Sequence, residues 1–194
     1  MVSKYGTGQD PYSYPNTQIL QNKLGIRDDV ELELAERKLT ELAITNIRFH
    51  PPPYDLVYWC DLHRQLFGEI YDWSGQIRTV DISKGGNRFC GMQFIENEAR
   101  KIFNALKQDH YLVNLTRPML IKKVAEYYSE LNVLHPFREG NGRTQRLLFE
   151  HLIINCGYRI SFLPINQTQW IAANIAGFNC DYDPLTTIFD LCIE

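Results

Sequence analysis

The sequence is poor in everything that would build a membrane span, a disulfide scaffold or a polyanion-binding surface. Its longest apolar stretches, such as Leu147-Leu148-Phe149 and Leu152-Ile153-Ile154, are far too short to cross a bilayer. The N-terminal stretch is polar and rich in Gly, Pro and Tyr, without the charged and apolar regions of a secretory signal. The five cysteines, Cys60, Cys90, Cys156, Cys180 and Cys192, are odd in number, scattered and without a CxxC pair. That pattern argues against a disulfide framework or a zinc site and leads us to expect buried, reduced thiols in a cytoplasmic protein. Direct translocation into another cell would leave no such signal and stays open. With 20 basic against 23 acidic residues the net charge is −3, so no bulk electrostatic attraction draws the chain to nucleic acid or an anionic membrane. Phosphate chemistry, if present, has to come from a local site.

What is there is ordinary globular material. Hydrophobic residues make up 44% and charged residues 22% of 194, enough for one domain with a substantial core. No internal repeat or low-complexity tract breaks it. We therefore expect a single domain over 1–194, with a core at about 55–194 and a helical N-terminal extension over 1–50.

Periodicity predicts a short helix from Asn16 to Leu24, and a long one from about Asp28 to Arg48. Asp28, Asp29 and Glu31 suit the positive end of the long helix, and Leu32, Ala35, Leu39, Leu42 and Ala43 are its expected apolar stripe. Pro51-Pro52-Pro53 reads as a stiff connector. Asp55 then opens a helix with Leu56, Trp59, Leu62, Leu66 and Ile70 as its buried stripe. Residues Ile77 to Ile82 alternate in strand style, Lys84-Gly85-Gly86-Asn87 forms a turn, and Arg88-Phe89-Cys90 returns as a hairpin. Helices resume at about 95–109, 118–132, 142–156, 167–176 and 183–192. The expected fold is mainly α, a compact helical bundle with one β-hairpin.

The chemistry concentrates in His135-Pro136-Phe137-Arg138-Glu139-Gly140-Asn141-Gly142-Arg143-Thr144-Gln145-Arg146. Gly140, Asn141 and Gly142 lie where a loop enters a helix, so their N–H groups can converge as an anion nest at the positive end of the helix dipole. Arg143 and Arg146, three apart, add two guanidinium forks suited to a polyphosphate. Glu139 makes sense beside phosphate when Mg²⁺ lies between them, because that ion takes one carboxylate plus phosphate oxygens and waters. His135 is fit to accept a proton near neutral pH. A lone GxG, a lone His-Pro or two surface arginines would be bland. Their union in twelve consecutive residues is not. No GxxxxGK[ST] is present, so this is not a P-loop.

This run resembles the Fic family signature HPFx[DE]GNGRxxR at every fixed position. The resemblance extends to Tyr5-Gly6-x-Gly8-x-Asp10-Pro11-Tyr12-x-Tyr14-Pro15, to Ile70 through Lys84-Gly85 at the entry to the family's hairpin or flap, and to Glu130-Leu131-Asn132-x-Leu134. It implies a Fic (Fido) protein adenylyltransferase, a nucleotidyltransferase moving AMP from ATP to a hydroxyl of a target protein with release of pyrophosphate. It implies that His135 is the general base, that Glu139 holds Mg²⁺, and that Gly140, Asn141, Gly142, Arg143 and Arg146 hold the phosphates. Lys84 and Gly85 are then expected near the nucleotide, and an exposed flap edge around Arg78 to Lys84 offers strand pairing to the target. Residues 170–174 and 181–185 resemble the helices walling the adenine pocket.

Many family members carry a restraining [ST]xxxE[GN] helix, which is missing from this sequence. The resemblance therefore implies a short bacterial toxin held by a separate small antitoxin whose Glu faces Arg146, with type II topoisomerase subunits as family-type targets. The alternatives are a Fic-fold kinase, another nucleotidyl or phosphoryl transferase, and a non-catalytic nucleotide-binding module. Kinase relatives carry Lys where this chain has Gly142, which favours nucleotidyl transfer. The target residue, base preference, antitoxin and oligomeric state are not written in these residues.

Overall fold

A computed structural model describes residues 10–84 and 86–194. Seven helices account for most of them: α1 (Asp29–Asn46), α2 (Leu56–Phe67), α3 (Ile95–Gln108), α4 (Arg117–Leu134), α5 (Asn141–Asn155), α6 (Gln167–Phe178) and α7 (Asp183–Cys192). Two short strands, β1 (Ser83–Lys84) and β2 (Asn87–Arg88), pair antiparallel with Ser83 opposite Arg88 and Lys84 opposite Asn87. The chain is thus mainly helical with one hairpin. Among the described residues no helix is long and apolar enough to cross a membrane.

Helix starts follow local chemistry. Asp28 caps α1 by accepting the Glu31 N–H, and Asp55 caps α2 by accepting that of Tyr58. Asn166 and Gln169 form a reciprocal capping box on α6. The central helix is α4, which packs against α3, α5, α6 and α7. Leu120, Ile121, Val124, Ala125, Tyr128, Leu131 and Leu134 bury most of its circumference, as expected of a helix surrounded by others.

Three expectations need correction. Residues 16–24 are not helical. Asn16 has a positive φ of 61°, Ser13 bridges to Leu20, and the Tyr14 N–H donates to the Ile19 carbonyl at 2.9 Å. The Pro15-Asn16 turn reverses the chain, and the Asn22 side chain, bonded to Leu20, Ile26 and the Ile26 N–H, holds the loop that follows.

Residues 77–81 form no ladder either, because their backbone groups are spent elsewhere; only the Ile82 carbonyl joins the hairpin, accepting the Phe89 N–H at 3.2 Å. The Arg78 N–H donates to the Pro136 carbonyl at 2.9 Å and the Val80 carbonyl accepts from Arg78 Nη1 at 2.6 Å. The face of α1 is also different. Of the expected stripe, Leu32 is buried and Ala35, Leu39 and Ala43 are half-buried, but Leu42 is 62% exposed, and Glu36 and Thr40, at i+4 and i+8 from Leu32, are buried instead. Of the cysteines, all free, only Cys192 is fully buried. Tyr5, Gly6, Gly8 and Gly85 lie outside the described residues.

Candidate active site

His135 follows the last residue of α4. Its own left-handed backbone (φ 46°) ends that helix and turns the chain into the loop ahead of α5. Its Nδ1 lies 3.0 Å from the Asn132 carbonyl. A carbonyl only accepts, so Nδ1 carries the proton and Nε2 keeps its lone pair. The imidazole stacks on Phe89, just past β2, at 3.8 Å between centroids and 11° between planes. Burial pushes its pKa down to about 4, opposed by the Asn132 bond and the Glu139 charge and assisted by Arg78 and Lys84. The ring is therefore neutral at physiological pH.

Arg78 holds the loop from behind. Its Nε donates to the His135 carbonyl at 2.8 Å, Nη1 to the Val80 carbonyl, and Nη2 to the Cys90 carbonyl. The Cys90 N–H reaches the Val133 carbonyl at 3.0 Å. One buried guanidinium thus ties both arms of the hairpin to the backbone of the loop ahead of α5. Replacing Arg78 by methionine strands three carbonyls. It should cost about 3–5 kcal/mol, read as a fall in the urea midpoint of unfolding. A change below about 1 kcal/mol would mean that water replaces the guanidinium freely.

The rest of the loop is equally determined. The Asn141 side chain closes a two-way bond with Phe137, accepting its N–H at 2.8 Å and donating to its carbonyl at 2.7 Å. That bond fixes the side chain in the loop and sets its orientation, with one Nδ2 hydrogen on the Phe137 carbonyl. His63 on α2 is stacked between Phe67 and Phe137. Its Nδ1 accepts the Gly75 N–H at 2.8 Å, so its Nε2 donates to the Glu139 carbonyl at 3.0 Å. Burial lowers its pKa to about 4 as well, which keeps this donor–acceptor pair in place. Arg138, at the variable position of the run, is buried and paired with Asp10 of the N-terminal segment, Nε to Oδ2 at 2.7 Å.

Gly140 sits at φ 80° as the N-cap of α5, and a Cβ on it would lie 2.4 Å from the Phe67 ring. Only glycine fits there. The first N–H groups of α5 have no partner within the helix, which makes this end an anion site. Glu139 Oε1 accepts the Gly140 N–H at 2.9 Å.

A cavity of about 760 Å³ opens over these groups. It is lined by His135, Glu139, Asn141, Gly142 and Arg146, by Lys84, Asn87 and Phe89 of the hairpin, and by the apolar Phe162, Trp170 and Phe178; Phe178 meets Phe89 edge-on at 6.1 Å. The structure therefore brings His135, Glu139, Asn141, Gly142, Arg146 and Lys84 to one cavity, with Gly140 between two of them in the chain. Arg143 is not on its wall. Its guanidinium turns away to Glu36 on α1 and lies over the Phe67 ring at 4.7 Å.

Sequence reasoning overlooked Glu36, which was legible as an acid set four residues from both Leu32 and Thr40. It also placed Arg78 at the start of an exposed flap edge, whereas Arg78 is buried, because its guanidinium is spent on three carbonyls. Among the described residues no three His, Cys, Asp or Glu gather to hold a metal. Glu139 alone fits an ion that takes one carboxylate and completes its shell with phosphate oxygens and water, as Mg²⁺ does.

Residues 53–153 match the family model described as Fic/DOC family. A Salmonella typhimurium protein described as a probable protein adenylyltransferase Fic is 40% identical over 194 residues, covering all of this chain and 97% of that protein. Its Escherichia coli namesake is 41% identical with the same coverage. Among solved structures, BepC of Bartonella tribocorum with bound AMPPNP superposes with a TM-score of 0.89 at 26% identity, covering 94% of this chain and 96% of that one. A Bartonella quintana Fic domain with bound ADP superposes at 0.88 and 29% identity, covering 94% of each. The chain belongs to the Fic/DOC family.

Proposed function

We propose that the protein is a protein adenylyltransferase, transferring AMP from ATP to a hydroxyl side chain of a target protein. The observation that carries this is the fixed tautomer of His135, which leaves Nε2 a free lone pair on a residue bordering a cavity lined by a helix start and Arg146. The relatives described as protein adenylyltransferases and the nucleotide-bound neighbours support it.

In this reading the N–H groups at the start of α5 hold the phosphates, and Arg146 binds their outer end. Glu139 holds Mg²⁺, which when bound offsets phosphate charge. Lys84 approaches the nucleotide from the hairpin, and the apolar lining at Trp170 takes the base. The target hydroxyl attacks the α-phosphorus as Nε2 of His135 takes its proton. The bond from the α-phosphorus to the bridging oxygen breaks, and pyrophosphate leaves. Positioning and charge stabilisation supply the rate.

We further propose that the protein acts as a toxin on a cytoplasmic target and is restrained by a separate small antitoxin. Arg146 lines the cavity, so a partner's glutamate entering there has a guanidinium to meet.

The test uses a cell lysate with Mg²⁺ and ATP labelled at either the α- or the γ-phosphate. We expect α-label, and a mass gain of one AMP, on a specific protein. γ-Label on the target instead would establish a kinase. No label of either kind would leave a nucleotide-binding module.

A further inference from the structure

We infer that Glu36 is a positioning residue for the phosphate-binding helix start, and that Arg143 serves this pairing with α1 instead of binding the triphosphate. The kinetic half of this rests on the adenylyltransferase reading; the binding half does not.

Glu36 lies on the buried face of α1, its side chain 9% exposed. Both of its oxygens are engaged. Oε1 accepts the Tyr71 hydroxyl and Oε2 accepts Nη2 of Arg143. The Tyr71 hydroxyl is held well above the ordinary phenol range by burial and by the Glu36 charge, so it remains a donor. A buried carboxylate is tolerable only when it is paired and hydrogen-bonded, and these two partners meet that condition.

The pairing decides which way the two motif arginines point. Arg146 lines the cavity and Arg143 does not. Arg143 instead crosses the Phe67 ring, whose edge is the surface against which Gly140 is packed. Arg143 therefore ties the first turn of α5 to α1 across the ring of Phe67, the last residue of α2. A shift of that turn moves every N–H facing the phosphates together. Glu139 is the other carboxylate near Arg143, its Oε1 3.9 Å from Nη2, so the closer Glu36 settles the competition for that guanidinium.

The experiment compares Glu36→Gln, Arg143→Lys, Tyr71→Phe and Arg146→Ala. ATP affinity is measured by calorimetry with Mg²⁺ and ATP, kcat and KM by transfer of α-labelled AMP, and folding by thermal melting. Arg146→Ala should weaken ATP binding about tenfold or more, as loss of a charge-assisted phosphate contact does. Glu36→Gln and Arg143→Lys should hold ATP within about threefold yet lower kcat at least about tenfold, since misplacement by ~1 Å is worth up to ~10²-fold. Tyr71→Phe, which removes one hydroxyl and keeps the ring, should show a smaller fall of the same kind. It carries the test if Glu36→Gln does not fold. Exchanging the two charges in one chain (Glu36→Arg with Arg143→Glu) should restore part of the lost kcat.

If Arg143→Lys weakens ATP binding as much as Arg146→Ala, Arg143 reads phosphate and the inference fails. If folded Glu36→Gln and Tyr71→Phe both keep wild-type kcat, the contact is merely stabilising and the inference fails equally. If the unaltered protein transfers no AMP, the adenylyltransferase reading falls, while the contrast in ATP affinity still decides where Arg143 belongs.

Discussion

His135→Ala is expected to lower AMP transfer about 10³-fold, within the range for losing a positioned general base, while ATP affinity stays close to that of the unaltered protein. The separation follows from the geometry. The imidazole is fixed by its own backbone, by Asn132 and by Phe89, and it borders the cavity into which the proposed reaction brings a hydroxyl. The groups for the phosphates sit further on, along the start of α5 and at Arg146. Transfer at an undiminished rate would show that some other group takes the proton.

The pH dependence provides a second measurement on the same residue. Burial has pushed His135 down to about 4, so its neutral form persists well below the ~6.5 of an exposed histidine. The acid limb of kcat/KM should therefore fall near pH 4. His63 and His151 are also lowered to about 4 by burial. All three bind protons more readily when unfolded, so stability is lost as pH drops from ~6.5 through 4. Melting must be followed in parallel to separate loss of base from loss of fold. An acid limb near 6.5 in folded protein would mean that the Phe89 cover opens before the hydroxyl arrives.

The fold was legible where the rule was local. Capping aspartates placed the starts of α1 and α2, and apolar spacing placed α3 to α7 within a few residues. It failed where a segment's partners are distant. Residues 77–81 look like a strand, but the Arg78 N–H goes to the Pro136 carbonyl and the Thr79 N–H to the Tyr12 hydroxyl, both far away in the sequence. The motif likewise showed which residue types gather at the helix start, but not the direction each side chain takes. Asn141 spends its amide on Phe137, and Arg143 turns to an acid 107 positions away. Glu36 escaped notice because a charged residue on a helix is read as solvated until a buried partner is known.

Gly140→Ala is expected to be the most damaging glycine-to-alanine change among the described residues. Two independent costs meet there. Alanine at φ 80° is strained by about 1–2 kcal/mol. The new Cβ would also lie 2.4 Å from Cε2 and Cζ of Phe67, a wholly buried ring that carries Arg143 on it and has little room to yield. Overpacking of this kind adds about 1–3 kcal/mol. The combined loss, about 2–5 kcal/mol by urea unfolding, should come with transfer near background, because relief moves the helix start that faces the phosphates. Gly142→Ala is the contrast. A Cβ there meets only Arg146 Nη1, at an ordinary 3.5 Å, so the fold should tolerate it within about 1 kcal/mol. Adding Phe67→Leu to Gly140→Ala should recover part of the steric cost and none of the backbone cost. Equal tolerance of alanine at 140 and 142 would show that the helix start is free to shift, and that the tight seat of Gly140 against Phe67 is not what holds the phosphate donors in place.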